Sequence, residues 1–201
     1  MYQPKDSFYR KAKRDGYRSR AAYKLLELNR RFRIIEVGDR VVDLGAAPGG
    51  WLQVAARLSG QEGRVVGVDL QPIEPLKEKN VVVFQGDIAS EQCRRRLKVL
   101  LGSPADCVLS DLSPRLSGIR DLDLSRSLEL ARMALDAARS LLGPGGNFVV
   151  KTFVGEELKD FSLELKRHFR SVERTRPEAT RKGSSEIYFC ARELHKTVCE
   201  I

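Results

Sequence analysis

Acidic residues end four successive short apolar runs of this chain, at Asp43, Asp69, Asp87 and Asp111. After the first run comes Asp43-Leu44-Gly45-Ala46-Ala47-Pro48-Gly49-Gly50-Trp51, which leads into a helical pattern. Small residues at such a turn let backbone approach a ligand closely, and the helix N-terminus behind them offers free N–H groups. No Gly-Lys-Ser/Thr follows, as a phosphate-binding loop would require. Ala46-Ala47-Pro48 also stand where a dinucleotide loop needs its second glycine. A pyrophosphate cradle, and with it a nicotinamide dehydrogenase, is therefore disfavoured. Asp43 and Asp111 make the same cavity hostile to phosphate and hospitable to a cation. Asp69 sits where a ribose diol would be hydrogen-bonded, and Asp87 could accept from an adenine amino group. A ligand with adenosine, no phosphate and a sulfonium charge is S-adenosyl-L-methionine. The competing reading is that some of these aspartates only cap the helices that follow them.

The elements that must hold these residues follow from hydrophobic periodicity. Short β-branched runs at 40–44, 64–69, 81–85, 106–111 and 147–151 predict five strands. Helical spacing predicts helices over about 50–58, 90–101, 124–142 and 156–169, with Gly143-Pro144-Gly145-Gly146 stopping the third. The strands have few polar residues on either face, so helices should cover both. Alternating βα units of this kind predict a Rossmann-like α/β fold, with a seven-stranded, mostly parallel sheet that binds ligands at the strands' carboxyl ends. The last two extended segments, 170–175 and 186–192, have no crossover helix between them and predict an antiparallel hairpin at one edge. The 201 residues read as a single domain: a basic helical extension over 1–39 and an α/β core over 40–201.

Charge is concentrated at the start. The first 33 residues hold eleven Lys and Arg against three acids, +8 of a net +9. Phe8, Tyr9, Tyr17 and Tyr23 are interleaved with that charge, which joins phosphate partners to stacking faces, as nucleic-acid binders need. A solvated basic helix or a patch for anionic lipid is the bland alternative. At 42% hydrophobic and 31% charged residues the chain is too apolar to be disordered. No apolar stretch approaches the roughly 20 residues of a membrane span, and the first residues lack a signal region, so a cytoplasmic protein is expected. Cys93, Cys107, Cys190 and Cys199 form no CxxC pair, and only His168 and His195 could join them, so no metal is expected.

Three further motifs, taken with the glycine loop, resemble a known family. Tyr17-Arg18-Ser19-Arg20-Ala21-Ala22-Tyr23-Lys24-Leu25, Ser110-Asp111-Leu112-Ser113-Pro114 and Lys151-Thr152-Phe153 look like signatures of the FtsJ/RrmJ (RlmE) family, RNA ribose 2′-O-methyltransferases. With Glu186-Ile187-Tyr188 the similarity spans essentially the whole chain, and the order of the motifs makes it specific. The resemblance implies a class I S-adenosyl-L-methionine-dependent methyltransferase fold. It implies cofactor contacts at Asp43, Gly45, Gly49, Gly50, Trp51, Asp69, Asp87 and Asp111. It also implies a catalytic tetrad of Lys24, Asp111, Lys151 and Glu186. Ser113-Pro114-Arg115 departs from the Ala-Pro-Asn-like run of bacterial members. The departure leaves the tetrad intact and bears on the RNA substrate rather than on the reaction.

The tetrad suits methylation of a hydroxyl. A ribose hydroxyl is a poor nucleophile, so most of the acceleration comes from positioning, with base assistance added. Neighbouring positive charge from Lys24 and the sulfonium favours loss of a proton from Lys151, whereas Asp111 and Glu186 oppose it. Both roles, proton removal and steering of the hydroxyl, stay open for Lys151. Ordinary alternatives exist for the others: a phosphate contact for Lys24, a solvent-side position for Glu186, core packing for Trp51. Within the family the chain resembles the large-subunit ribosomal RNA enzymes, which implies as substrate a uridine in the A-loop, free or in the ribosomal subunit; a monomer is expected. Relatives that modify the tRNA anticodon loop are the nearest rival. A silent RNA-binding relative should have lost a tetrad residue, and all four are present. Arg115, Arg120, Arg181 and Lys182 are a second candidate surface for RNA.

Overall fold

A computed structural model describes residues 7–181 and 183–195. Lys5, Asp6, Lys182 and Cys199 lie outside the described residues. Two helices, α1 (Ser7–Arg14) and α2 (Ala22–Phe32), precede the sheet. Then follow β1 (Arg40–Leu44), α3 (Gly50–Ser59), β2 (Arg64–Asp69), β3 (Val81–Gln85), α4 (Glu91–Leu101), β4 (Ala105–Ser110) and α5 (Arg120–Leu141). The described residues close with β5 (Leu142–Phe153), α6 (Leu158–His168), β6 (Phe169–Thr175) and β7 (Glu186–Leu194). The strands form one seven-stranded sheet in the order β3-β2-β1-β4-β5-β7-β6. Only β7 runs against its neighbours, and it lies between β5 and β6. The expected antiparallel edge hairpin is therefore the β6–β7 pair, joined by a loop over 176–185.

Strand alternation divides the interior into two cores. Val42, Val66, Val108, Phe148, Val150 and Phe189 point to the face covered by α4, α5 and α6. Val41, Val65, Cys107, Leu109, Val149, Tyr188 and Cys190, each one residue out of step, point to the face covered by α2 and α3. On that second face Leu25 and Leu28 of α2 are fully buried. Each such leucine is worth about 1.5–3 kcal/mol of burial, so α2 is a structural layer of the domain and not a loose appendage. Cys93, Cys107 and Cys190 are free, buried thiols, as small core residues are. Among the described residues no helix is long and apolar enough to cross a membrane.

Two boundaries differ from the expected ones by more than about two residues. The glycine-rich stop at 143–146 does not separate helix from strand, because β5 begins at Leu142 directly after α5. Ala105 pairs with Leu142 and Cys107 with Asn147, so the Gly-Pro-Gly-Gly segment is taken up as a bulge against β4. Gly145 in this bulge has φ 83°, which a side chain would resist. Helix α5 starts at Arg120 rather than near 124. The Asp123 carboxylate accepts from Ser117 N, Ser117 Oγ and Gly118 N at 2.8, 2.8 and 3.2 Å. Those bonds fold the preceding loop onto the first turn and hold Asp123 below the usual carboxylate range, chiefly through the Ser117 amide.

Candidate active site

The period-two rule that builds the second core also aims polar side chains. Lys151 has the parity of Val149, and Glu186 and Tyr188 have the parity of Cys190, so all three face α2. In the antiparallel register Lys151 lies opposite Tyr188 and Phe153 opposite Glu186. Asp111 follows the last residue of β4, and that residue, Ser110, pairs with Val150. Lys24 comes down from α2 onto the same spot and is itself buried.

The result is one continuous polar chain. Lys24 Nζ meets Glu186 Oε2 at 2.8 Å and donates to the Tyr188 hydroxyl at 3.0 Å. That hydroxyl donates to Asp111 Oδ1 at 2.7 Å. Lys151 Nζ lies 3.2 Å from the same oxygen and donates to the Asp111 carbonyl at 2.8 Å. All four tetrad residues are thus brought together, with Tyr188 at the centre. Burial holds the Tyr188 phenol well above its ordinary range, and the Asp111 and Glu186 charges push the same way. It keeps its proton and can both accept from Lys24 and donate to Asp111. The sequence motifs assign Tyr188 no role. Its one signal there is the spacing of two from Glu186 along a strand.

Beside the chain opens a cleft of about 760 Å3, bordered by Lys24, Glu186, Arg20, Arg120, Arg181 and Ser113. Phe153, Val154, Leu116 and Leu124 line it as well. Among the described residues two acids line it, Asp123 and Glu186. The other charged groups of the lining are basic, so the cleft combines apolar surface with an excess of positive charge.

The glycine loop packs against the carboxyl ends of β1 and β2. Gly45 and Ala46 both donate to the Val68 carbonyl, at 2.9 and 3.1 Å, which ties the loop to β2. Gly45 and Gly49 have φ 80° and 108°, and a side chain at Gly45 would strike Leu112 at 2.7 Å. The Ala47–Pro48 peptide is cis. Asp69 accepts from Ala47 N at 2.9 Å and from Gln71 N at 2.8 Å, one bond per carboxylate oxygen, which leaves lone pairs on both. Asp87 is exposed, and its Oδ1 accepts from Ala89 N at 2.9 Å. The cap of α4 is Ser90, whose Oγ accepts from Cys93 N, and not Asp87. Asp43 is completely buried, and neither carboxylate oxygen has a partner. Burial first, then the Asp111 and Asp69 charges, push its carboxyl well above the ordinary range.

Two residues of the loop motif serve its packing. The Trp51 indole N–H donates to the Ala21 carbonyl at 2.8 Å, and its ring lies 5.9 Å from that of Tyr188. It is a buried bolt between α3 and α2. A side chain on Gly50 would meet Ser19 Oγ at 2.2 Å, so glycine is required for the N-terminal arm to cross there.

The chain is similar to known proteins over most of its length. The family model for FtsJ-like methyltransferases matches residues 17–194. A protein of Methanothrix thermoacetophila named ribosomal RNA large subunit methyltransferase E is 54% identical over 190 residues, covering 94% of this chain and 73% of its own length. A protein of the same name from Archaeoglobus fulgidus is 49% identical over 197 residues, covering 98% and 100%. A crystal structure of a Plasmodium falciparum protein assigned as a ribosomal RNA methyltransferase superposes with a TM-score of 0.79 at 28% identity, covering 89% and 98%. A match that runs from the arm carrying Lys24 through the last strand takes in every element that builds the polar chain. On that ground the chain belongs to the FtsJ-like methyltransferase family.

Proposed function

We propose that this protein transfers a methyl group from S-adenosyl-L-methionine to a ribose 2′-hydroxyl of large-subunit ribosomal RNA, with an A-loop uridine as acceptor. The observation that carries the proposal is the hydrogen-bonded run from Glu186 through Lys24, Tyr188 and Asp111 to Lys151. The names of the close relatives support ribosomal RNA as the substrate. The monomer is proposed as the working unit, in the cytoplasm.

The residues fit the cofactor. A buried carboxylate without a partner is costly, and Asp43 is one that a cationic ligand would satisfy. Asp69 keeps acceptor capacity for a ribose diol, and exposed Asp87 keeps it for an adenine edge. Gly45 and Gly49 give the loop its turn through positive φ, at 80° and 108°. When bound, the cofactor supplies an electrophilic methyl group on sulfur.

The protein's part is positioning and proton handling. Asp111 holds Lys151 through both its carbonyl and its carboxylate, so the amine has one fixed orientation. Lys151 steers the hydroxyl, and in its neutral amine form it receives the hydroxyl's proton as the new O–C bond forms. Glu186 and Tyr188 hold Lys24 in turn, where its charge can fix the acceptor's phosphate or ribose. The apolar side chains that line the cleft offer contact to a nucleobase, and Arg20, Arg120 and Arg181 in the same lining offer charge to its phosphates. The test is incubation of ribosomal RNA and tRNA with cofactor labelled in the methyl group, followed by mapping of the modified nucleotide. A label on tRNA alone, or on a base instead of a ribose, would overturn the proposal.

A further inference from the structure

Arg18 stands within the basic N-terminal segment, where charge alone would make it one more phosphate ligand. Its guanidinium is used differently. Nη1 donates to the Glu74 carbonyl at 2.6 Å and to the Pro48 carbonyl at 3.2 Å, and Nη2 donates to the Pro75 carbonyl at 2.6 Å. Pro48 belongs to the glycine loop after β1. Glu74 and Pro75 belong to the connection after β2 that begins beyond Asp69. One planar fork therefore joins both loops that border the proposed cofactor hollow.

The surroundings are built around that fork. A side chain on Gly49 would lie 3.1 Å from Arg18 Nη1 and 3.2 Å from its Cδ, at a φ of 108° that already excludes most residues. The glycine therefore leaves room for the arginine to lie across it. The backbone is held too: Arg18 N donates to Gln53 Oε1 at 2.8 Å, and Gln53 Nε2 donates to the Gly16 carbonyl at 3.0 Å. Gln53 is on α3, the helix that the glycine loop opens. Three carbonyls have no charge to attract a phosphate, and a guanidinium that satisfies them has few donors left for one.

We propose that Arg18 is a positioning residue for the cofactor site, a clamp that holds the glycine loop and the post-β2 connection at the spacing the cofactor needs. The inference rests on the S-adenosyl-L-methionine reading given above and extends it. The arm that presents charge to RNA thus also sets the shape of the cofactor hollow.

The test compares Arg18→Ala, Arg18→Lys and Arg10→Ala with the full-length wild type. Cofactor affinity is measured by calorimetry with S-adenosyl-L-methionine and no RNA, and initial rates are then measured against both substrates. A clamp predicts that both Arg18 variants lose on the order of tenfold in cofactor affinity, the worth of a charge-assisted hydrogen bond. The cofactor KM should rise by a similar factor, with kcat at saturation and the RNA KM within about twofold of wild type. Lysine should not rescue, because a point charge cannot reproduce the fork. Arg10→Ala should leave cofactor affinity alone. Should Arg18→Ala melt below the assay temperature, Arg18→Lys carries the comparison, and failure of both to fold would make Arg18 a folding residue and overturn the assignment. It is equally overturned if cofactor affinity is unchanged in both while RNA affinity falls, as a phosphate contact requires. A wild type that binds no S-adenosyl-L-methionine would remove the cofactor reading itself, a different result from wild-type binding with undisturbed variants.

Discussion

Asp43 and Asp111 end neighbouring strands, β1 and β4, yet their surroundings are opposite. Asp111 and the four side chains linked with it are each hydrogen-bonded or ion-paired within the protein. Asp43 is more deeply buried and has no partner at all. The first region is complete before any ligand arrives, so its orientation is fixed in advance and little reorganisation is left for the reaction. The second holds a carboxylate that a cationic ligand would satisfy. One end of the sheet thus combines a preorganised region with a deliberately unsatisfied one. The same substitution logic should give opposite results in the two.

The largest effect is expected at Lys151. Lys151→Ala should lower methyl transfer by about 10²–10⁴-fold, the range of a lost proton-handling group. Cofactor affinity should hold within about twofold, because the amine is fixed by Asp111 and not by the glycine loop. Single-turnover assays at saturating RNA, beside cofactor titrations, read both quantities. Near-normal turnover would remove the preorganised region from the chemistry.

Next in size is the arm. Arg10, Lys11, Lys13 and Arg14 all project from exposed positions of α1. Some of this charge is engaged locally, since Arg14 pairs with Asp15 at 3.0 Å and Lys11 lies 4.7 Å from the Tyr23 ring centroid. Replacing all four by Ala should still weaken RNA binding by roughly tenfold or more. On single-stranded RNA it should also flatten the salt dependence, by up to about 0.7 for each phosphate that is no longer neutralised. Cofactor affinity should not move, which would set α1 apart from Arg18. Filter binding at several salt concentrations measures the slope, and an unchanged slope would shift RNA recognition to Arg115, Arg120 and Arg181.

Asp43→Asn reverses the usual direction. A carboxyl whose folded value is raised adds stability at pH below its unfolded value of about 3.9, and that stability is lost as pH rises through the folded value. The variant has no such group, so it should match the wild type in acid and exceed it near neutrality. The gain should be at most about 1–3 kcal/mol, the cost of one unsatisfied buried polar group. Cofactor affinity should fall at the same time. Thermal melts across pH with and without cofactor test both signs. A neutral-pH loss of stability would mean that Asp43 is satisfied in the free protein.

Much of this contrast is legible in the residues. Acids at strand ends and a small-residue loop before a helix mark a ligand cavity, because α/β sheets expose their carboxyl ends to one crevice. The strand alternation that buries Val149 and Cys190 is also what brings Lys151 and Glu186 to one face. Partners made by backbone are not legible. Arg18 looks like its basic neighbours until its three carbonyls are seen, and Trp51 stays open between a cofactor contact and core packing until Ala21 is placed beside it. Gly50 reads as a ligand glycine, yet the atom it makes room for is Ser19 Oγ. The bulge at 142–147 hides for the same reason, since Gly-Pro-Gly-Gly signals a turn whether or not a neighbouring strand takes it up.

The smallest effect is expected at Tyr188, where the two halves of the preorganised region meet. Tyr188→Phe keeps the ring that packs on Trp51 and removes only the hydroxyl between Lys24 and Asp111. Lys24 still has Glu186, and Asp111 still has Lys151, so each keeps a charged partner. What disappears is their mutual alignment, worth about one net hydrogen bond of roughly 0.5–1.5 kcal/mol. The kcat should fall by roughly threefold to tenfold with both KM values unchanged. Its combination with Lys24→Ala should be less than additive, since the two side chains share one bond. A loss as large as that of Lys151→Ala would bring the phenol's proton into the chemistry itself. No change at all would mean that Lys24 and Lys151 are held independently, and that the continuous chain is two separate pairs in contact.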